Sequence, residues 1–285
     1  MKLILSRKGF DSSAGGCPNP QFPDGRLLAL PIPDQRSRIA YGDLHHGDVN
    51  VGDLVEQLTK RGVRANHGAH LDPDMTPGHY RRSQGWRPVL GQAGSAQGHL
   101  RKQAVGVGDV FLYFGLFREI EHLEEGWRFK PGAPPKHVLW GWMQIAQVLK
   151  VDELDLHNEH SWLSYHPHCH GEADDNNTIY VSANRLKING RTTQLPGHGV
   201  FASAGKKQIL TDPAARSPSF WRLPRWFFPD NGQPPLSYHA KPERWSRDAR
   251  HCFLRSAARG QEFVLDTQYY PDAIRWLKGL VNSSF

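Results

Sequence analysis

The chain opens on a short apolar run, Leu3-Ile4-Leu5, which predicts a buried strand running directly into a polar loop. Two longer runs, Val107 to Phe117 and Val138 to Leu149, are apolar on both faces and rich in aromatic and β-branched residues. That pattern predicts two buried strands that pair with each other. The link between them, Arg118 to His137, holds Gly126, Gly132 and three prolines and is expected as a surface excursion. Shorter strands are expected at Leu27 to Pro31, Thr178 to Val181, Val200 to Ala202 and Gln261 to Asp266. The spacing of Leu54, Val55 and Leu58 predicts a short helix over Asp53 to Arg61, and Ile274, Leu277 and Val281 mark the inner face of a terminal helix from Asp272 to Val281. A helix from Ala93 to Ala104 would bring Gln92, Ala96, His99 and Gln103 to one polar face. Phe220 to Tyr238, with Trp221, Trp226, Phe227 and Phe228 among four prolines, reads as an ordered loop held down by aromatic burial.

Composition sharpens this picture. With 285 residues, 38% of them hydrophobic, the chain can bury a sizeable core, while 28 glycines and 21 prolines exclude long helices. The expectation is one α+β domain over 1–285 with a mixed β core around 105–182 and many irregular loops. The net charge of +7 is interspersed rather than blocked, so any basic patch must be assembled by folding, and nucleic acid is a natural partner for such a surface. Cys17, Cys169 and Cys252 form no CxxC pair and their odd number does not suit a disulfide framework, which points to a reducing cytoplasm. No apolar run reaches the roughly 18 residues that span a bilayer, so no membrane is expected as a partner.

The loop after the first strand, Ser6 to Gly16, combines cations, hydroxyls and glycines. Glycine lets successive N–H groups turn toward one point, with Arg7 and Lys8 supplying charge and Ser12 and Ser13 hydrogen bonds to a phosphate or carboxylate. It is neither a P-loop nor a dinucleotide fingerprint, and a solvated turn capped by Asp11 explains it equally well. His70, Asp72 and Asp74 would share one side of an extended segment, a donor set that suits iron, manganese or zinc. The alternative is an ordinary Asp-Pro-Asp turn. His166 and His168 make the same offer, and ligands from both segments with an open position would form a catalytic divalent-metal site. Asp11 and His99 are candidate general bases. No nucleophile elbow, kinase signature or zinc-deaminase signature is present.

The run SRKGFDSSAGG, Pro-Asp-Gly at 23–25, Leu-Pro-Ile-Pro at 30–33, His70 to Asp74, GQAGSAQGHL from Gly91, GDVFLYFGLFR from Gly108, His166-Pro167-His168 and GQEFVLD from Gly260 together resemble the nucleotide modification associated domain 3 family. Leu90 stands where that pattern leads one to expect phenylalanine, and Cys169 and His170 lie outside it. The resemblance implies participation in nucleic-acid base or nucleotide modification, as an enzyme or as its recognition component, alongside other base-modification enzymes, and leaves the reaction open. The segment of the two central strands is also similar to PUA-like barrels of the EVE and ASCH type. Those barrels bind modified bases or RNA in an aromatic pocket, and this similarity implies a barrel-like β core with Tyr113, Phe117, Trp140 and Trp142 as walls. Ordinary core packing is the alternative for those rings. Two other functions stay open: a non-catalytic reader of modified bases, and a metal-dependent oxidoreductase or hydrolase outside nucleic-acid metabolism.

Overall fold

The computed structural model describes residues 1–285 apart from 172, 173, 231, 259 and 285. The labelled strands are β1 (Lys2–Arg7), β2 (Val89–Gln92), β3 (Val110–Leu123), β4 (Lys136–Lys150), β5 (Thr178–Ser182), β6 (Phe220–Pro224), β7 (Trp245–Arg247), β8 (His251–Arg255) and β9 (Glu262–Asp266). The helices are α1 (Val51–Leu58), α2 (Gly94–Lys102) and α3 (Asp272–Asn282).

A nine-stranded mixed sheet carries the fold, its main path running β9-β1-β3-β4-β5-β2. The opening strand is parallel to β3, with Leu3 opposite Val110, and antiparallel to β9, with Leu3 opposite Leu265. The two long apolar runs pair antiparallel as expected, with a register shift between Leu139 and Gly141. The path ends on two different strands, so of the two expected cores the mixed sheet is present and no closed barrel forms among the described residues. The architecture is α+β, predominantly β, with irregular loops.

Alternation along the central strands divides the interior, because successive side chains point to opposite faces. Leu3, Leu5, Leu112, Phe114 and Leu139 pack in one cluster with Leu277 and Leu280 of α3 and with the three-stranded sheet β6-β8-β7. Ile4, Phe111, Tyr113, Val138 and Trp140 pack in another cluster with Leu90 of β2 and Leu100 of α2. Each such side chain contributes about 1.5–3 kcal/mol on burial. A further cluster holds Phe10, Phe22, Leu54 and Val55 beneath α1, whose N-terminus is capped by Asn50 accepting from the Asp53 amide at 3.1 Å.

Several expectations change, among them the strand expected at Val200 to Ala202, which is His198–Val200 instead. The strand expected at Leu27 to Pro31 is irregular, with only an isolated bridge between Gln21 and Leu27. The excursion after Phe117 begins as a continuation of β3, which runs to Leu123 and pairs with the short strand Gly126–Phe129. The aromatic segment from Phe220 starts as β6 rather than as a loop, pairing with β8. His166 to His170 is a 3-10 turn over Pro167–Cys169, not an extended run. The three cysteines are free, and among the described residues no helix is long and apolar enough to cross a membrane.

Candidate metal centre

Folding brings the two histidine-bearing segments together at the β2 edge of the sheet. His70 ends the short strand Ala69–His70, which pairs with Ile32–Pro33, and Asp72 follows two residues later. The 3-10 turn supplies His166 as its N-cap and His168 from its middle. One ligand atom from each of His70, Asp72 and His168 lies within 4.8 Å of the others. Gly91 of β2 makes this approach feasible: its amide donates to Asp72 Oδ1 at 2.6 Å, and a Cβ there would stand 2.2 Å from the His168 ring.

The outer partners of both imidazoles fix which nitrogen faces the carboxylate. His70 Nδ1 donates to Asp34 Oδ2 at 2.8 Å, which leaves Nε2 as the nitrogen available to a ligand. His168 Nδ1 is 2.7 Å from Asn177 Oδ1, and the Asn177 amide nitrogen donates to the His168 carbonyl at 2.9 Å. That second bond identifies Oδ1 as the acceptor, so His168 Nδ1 carries the proton and Nε2 points at Asp72 Oδ2, 3.8 Å away. Burial pulls the His168 imidazole down to about 4, against the pull of Asp72, and keeps it neutral near pH 7. Burial alone would raise the Asp72 carboxyl. The close His166 imidazole, the neighbouring His168 ring and Lys8 outweigh it and hold the group ionised, well below the usual carboxylate range.

His166 is fully buried, with Nε2 3.4 Å from Asp72 Oδ1. Among the described residues this buried nitrogen has no hydrogen-bond partner. A buried polar atom left unpaired beside a carboxylate is costly unless a further group completes the site. The Cys169 thiol, by contrast, is pushed by burial up to about 12 and stands outside the cluster.

Two openings flank the cluster, one bordered by His70 and His168 and the other by Asp72. A cleft of about 570 Å³, bordered by Asp34, His70, His168, Asp174 and Asn177, lies over the imidazoles. A narrower slot of about 80 Å³ reaches Asp72 from the other direction, walled by Leu30, Leu71, Met75 and Trp140 and closed by His46 and His79. Those last two rings share a 3.1 Å contact, and burial pulls them down to about 4 and about 3, respectively. Trp140 Nε1 and His46 Nε2 are buried without hydrogen-bond partners.

The other candidates disperse. Asp74 turns away from His70 and Asp72; it accepts from Arg82 Nη2 at 2.6 Å and Trp86 Nε1 at 3.0 Å and bonds the Tyr165 hydroxyl, a buried cluster that pins its own loop. Arg7 donates to the carbonyls of Ala257 and Ala258 at 2.7 and 2.9 Å. Lys8 pairs with buried Glu262 at 3.1 Å, a carboxylate that also accepts from Ser6 and Gln92. Ser12 and Ser13 are exposed, and Asp11 caps the turn by accepting from the Ser13 and Ala14 amides at 2.7 and 2.9 Å. His99 lies 3.0 Å from the Ser237 hydroxyl and against the Tyr238 ring. Tyr113, Phe117 and Trp142 are enclosed by protein at 0%, 1% and 1% exposure, and among the four aromatic candidates Trp140 alone borders one of the two openings. Asp34, Asn177 and Glu262 were not candidates from the sequence. Asp34 follows Leu-Pro-Ile-Pro and Asn177 follows another asparagine, and neither spacing announces a ligand-orienting role.

The sequence model of the family described as nucleotide modification associated domain 3 matches residues 2–266, and the chain belongs to that family. No curated protein and no solved structure matches it. Membership carries a nucleotide-modification context for the whole matched region.

Proposed function

We propose that this family member is a metal-dependent enzyme of nucleobase or nucleotide modification, with a divalent ion held by His70 Nε2, Asp72 and His168 Nε2. One observation carries the reading: two imidazoles, each locked by an outer oxygen acceptor, converge on an ionised buried carboxylate with ligand atoms inside 4.8 Å. Two imidazoles and one carboxylate suit iron, zinc or manganese and leave coordination positions open to water and substrate. A bound ion would also give Asp72 the counter-charge its burial calls for, with His166 steadying Oδ1 from behind.

The cleft over the imidazoles falls within the range of about 300–1,000 Å³ common for ligand sites, so it can receive a nucleotide. The slot beyond Asp72 is too small for a nucleotide and suits a small group on the base, with Trp140 Nε1 as a donor to it. Chelation, reconstitution with each metal in turn and elemental analysis test the proposal. Stoichiometric metal is expected in the parent protein and not in His70→Ala, Asp72→Ala or His168→Ala. Failure to load any of the three metals, or loading that survives loss of all three side chains, sinks it.

A further inference from the structure

A second feature lies on the opposite face of the central sheet. Trp140 and Met75, which border the slot at Asp72, belong to the packing cluster on one face, whereas Leu3, Leu112 and Leu139 turn to the other, toward α3 and the three-stranded sheet. Where α3, β6 and the turn between β7 and β8 meet there is a groove of about 620 Å³. Lys206, Lys207, Arg222, Arg250 and Arg275 line it, and all are exposed. Asp272 holds Arg275 at 2.5 Å and Asp212 lies 3.8 Å from Arg222, but Lys206, Lys207 and Arg250 have no ion pair among the described residues. Uncompensated cations around a concave surface concentrate positive potential there. Part of the chain's excess of cations meets here.

The apolar part of the groove is aromatic. Trp226 and Trp276 line it half-buried, their ring centres 5.9 Å apart. Trp226 and Asp272 also border an adjoining cleft of about 640 Å³, with Phe228 and the 45% exposed ring of Tyr269. The two clefts therefore form one track crossing Trp226, cationic at one end and aromatic at the other.

We propose that this track binds single-stranded nucleic acid, with Lys206, Lys207 and Arg250 on phosphates and bases stacked along Trp226 and Tyr269. Cations paired with flat rings are the recognition chemistry of an unpaired strand, whereas a duplex hides its base faces. The track lies on the far face from the metal centre and would tether a polynucleotide independently of any ion bound there. The charge-neutral variant K206Q/K207Q/R250Q removes only exposed side chains, and fluorescence anisotropy with a labelled oligothymidylate at several salt concentrations reads the result. Three lost phosphate contacts at about 0.7 each should shrink the slope of log affinity against log salt by about 2. Separately, Tyr269→Ala should weaken binding roughly 5- to 100-fold at constant slope. Chelating all metal should change neither. Absent binding by the parent protein, an unchanged slope and affinity in the charge variant, equally tight binding of polyglutamate, or dependence on bound metal would each overturn the assignment.

Discussion

Asp34 and Asn177 stand outside the ligand set, yet each fixes the ring that would face an ion. His70 and Asp34 are 36 residues apart, His168 and Asn177 nine. Losing such an outer partner frees the imidazole to rotate and to change tautomer, which typically lowers metal affinity about 10- to 100-fold. Asp34→Ala and Asn177→Ala should each show that drop in competition with a chromophoric chelator. Asp34→Asn, which keeps an oxygen acceptor, should recover much of it. Parent-like affinity in both alanine variants would remove the orienting role. Ligand chemistry made His70, Asp72 and His168 legible as candidates in the sequence, because few residue types bind metal and these lie within two short segments. Their orienting partners were not legible, since an isolated aspartate after Pro33 or an asparagine pair carries no mark of what folding sets beside it. Asp74 had the right chemistry and spacing, but Arg82, Trp86 and Tyr165 claim it instead.

The strand β2 does for the site what no single ligand can. Its Gly91 lets the His168 ring lie against bare backbone while its amide anchors Asp72. Gly91→Ala would force the ring aside, costing about 1–3 kcal/mol as overpacking. It should lower metal affinity at least as much as loss of an orienting partner, with every ligand still present. Melting curves with and without metal separate the two effects: stability should fall in both conditions, and the stabilisation by metal should shrink further. Undiminished stabilisation by metal would show that the ring has room to move. The motif beginning at Gly91 marked the family, but the need for glycine emerged only when the 3-10 turn at Pro167–Cys169 docked there. Elements apolar on both faces were the easiest to read, which is why β3 and β4 were anticipated as a pair. In β6, buried Trp221 and Leu223 flank exposed Arg222, a period-two signal masked by the surrounding prolines and aromatics. Gln92 was assigned to a polar helix face; it closes a strand instead and sends its amide to Glu262.

Across the whole molecule, several histidines are held neutral by burial on both faces of the sheet, and this sets the response to acid. His137 shows the direction best because its ring packs against Phe114 and Trp221 rather than the proposed ligands. Its Nδ1 accepts from Trp221 Nε1 at 2.9 Å in the core, and burial, with a smaller push from Arg7, pulls it down to about 3. In the unfolded chain the same ring titrates near about 6.5. Above that pH both states are neutral and nothing is lost. Between about 6.5 and 3 the unfolded state binds a proton that the folded state refuses, so stability falls with falling pH by up to about 1.4 kcal/mol per unit for this ring alone. His239, pulled by burial to about 4, acts in the same direction. Denaturant unfolding of metal-free protein from pH 8 down to pH 4 should therefore show a plateau above about 6.5 and a steep decline beneath it. His137→Gln offers Trp221 an oxygen acceptor that does not titrate, so the decline should become shallower by about one proton's worth of slope even if the variant starts less stable. A decline with the parent slope would mean that His137 is protonated as readily in the folded core as in the unfolded chain, which the Trp221 hydrogen bond and the enclosing sheet argue against.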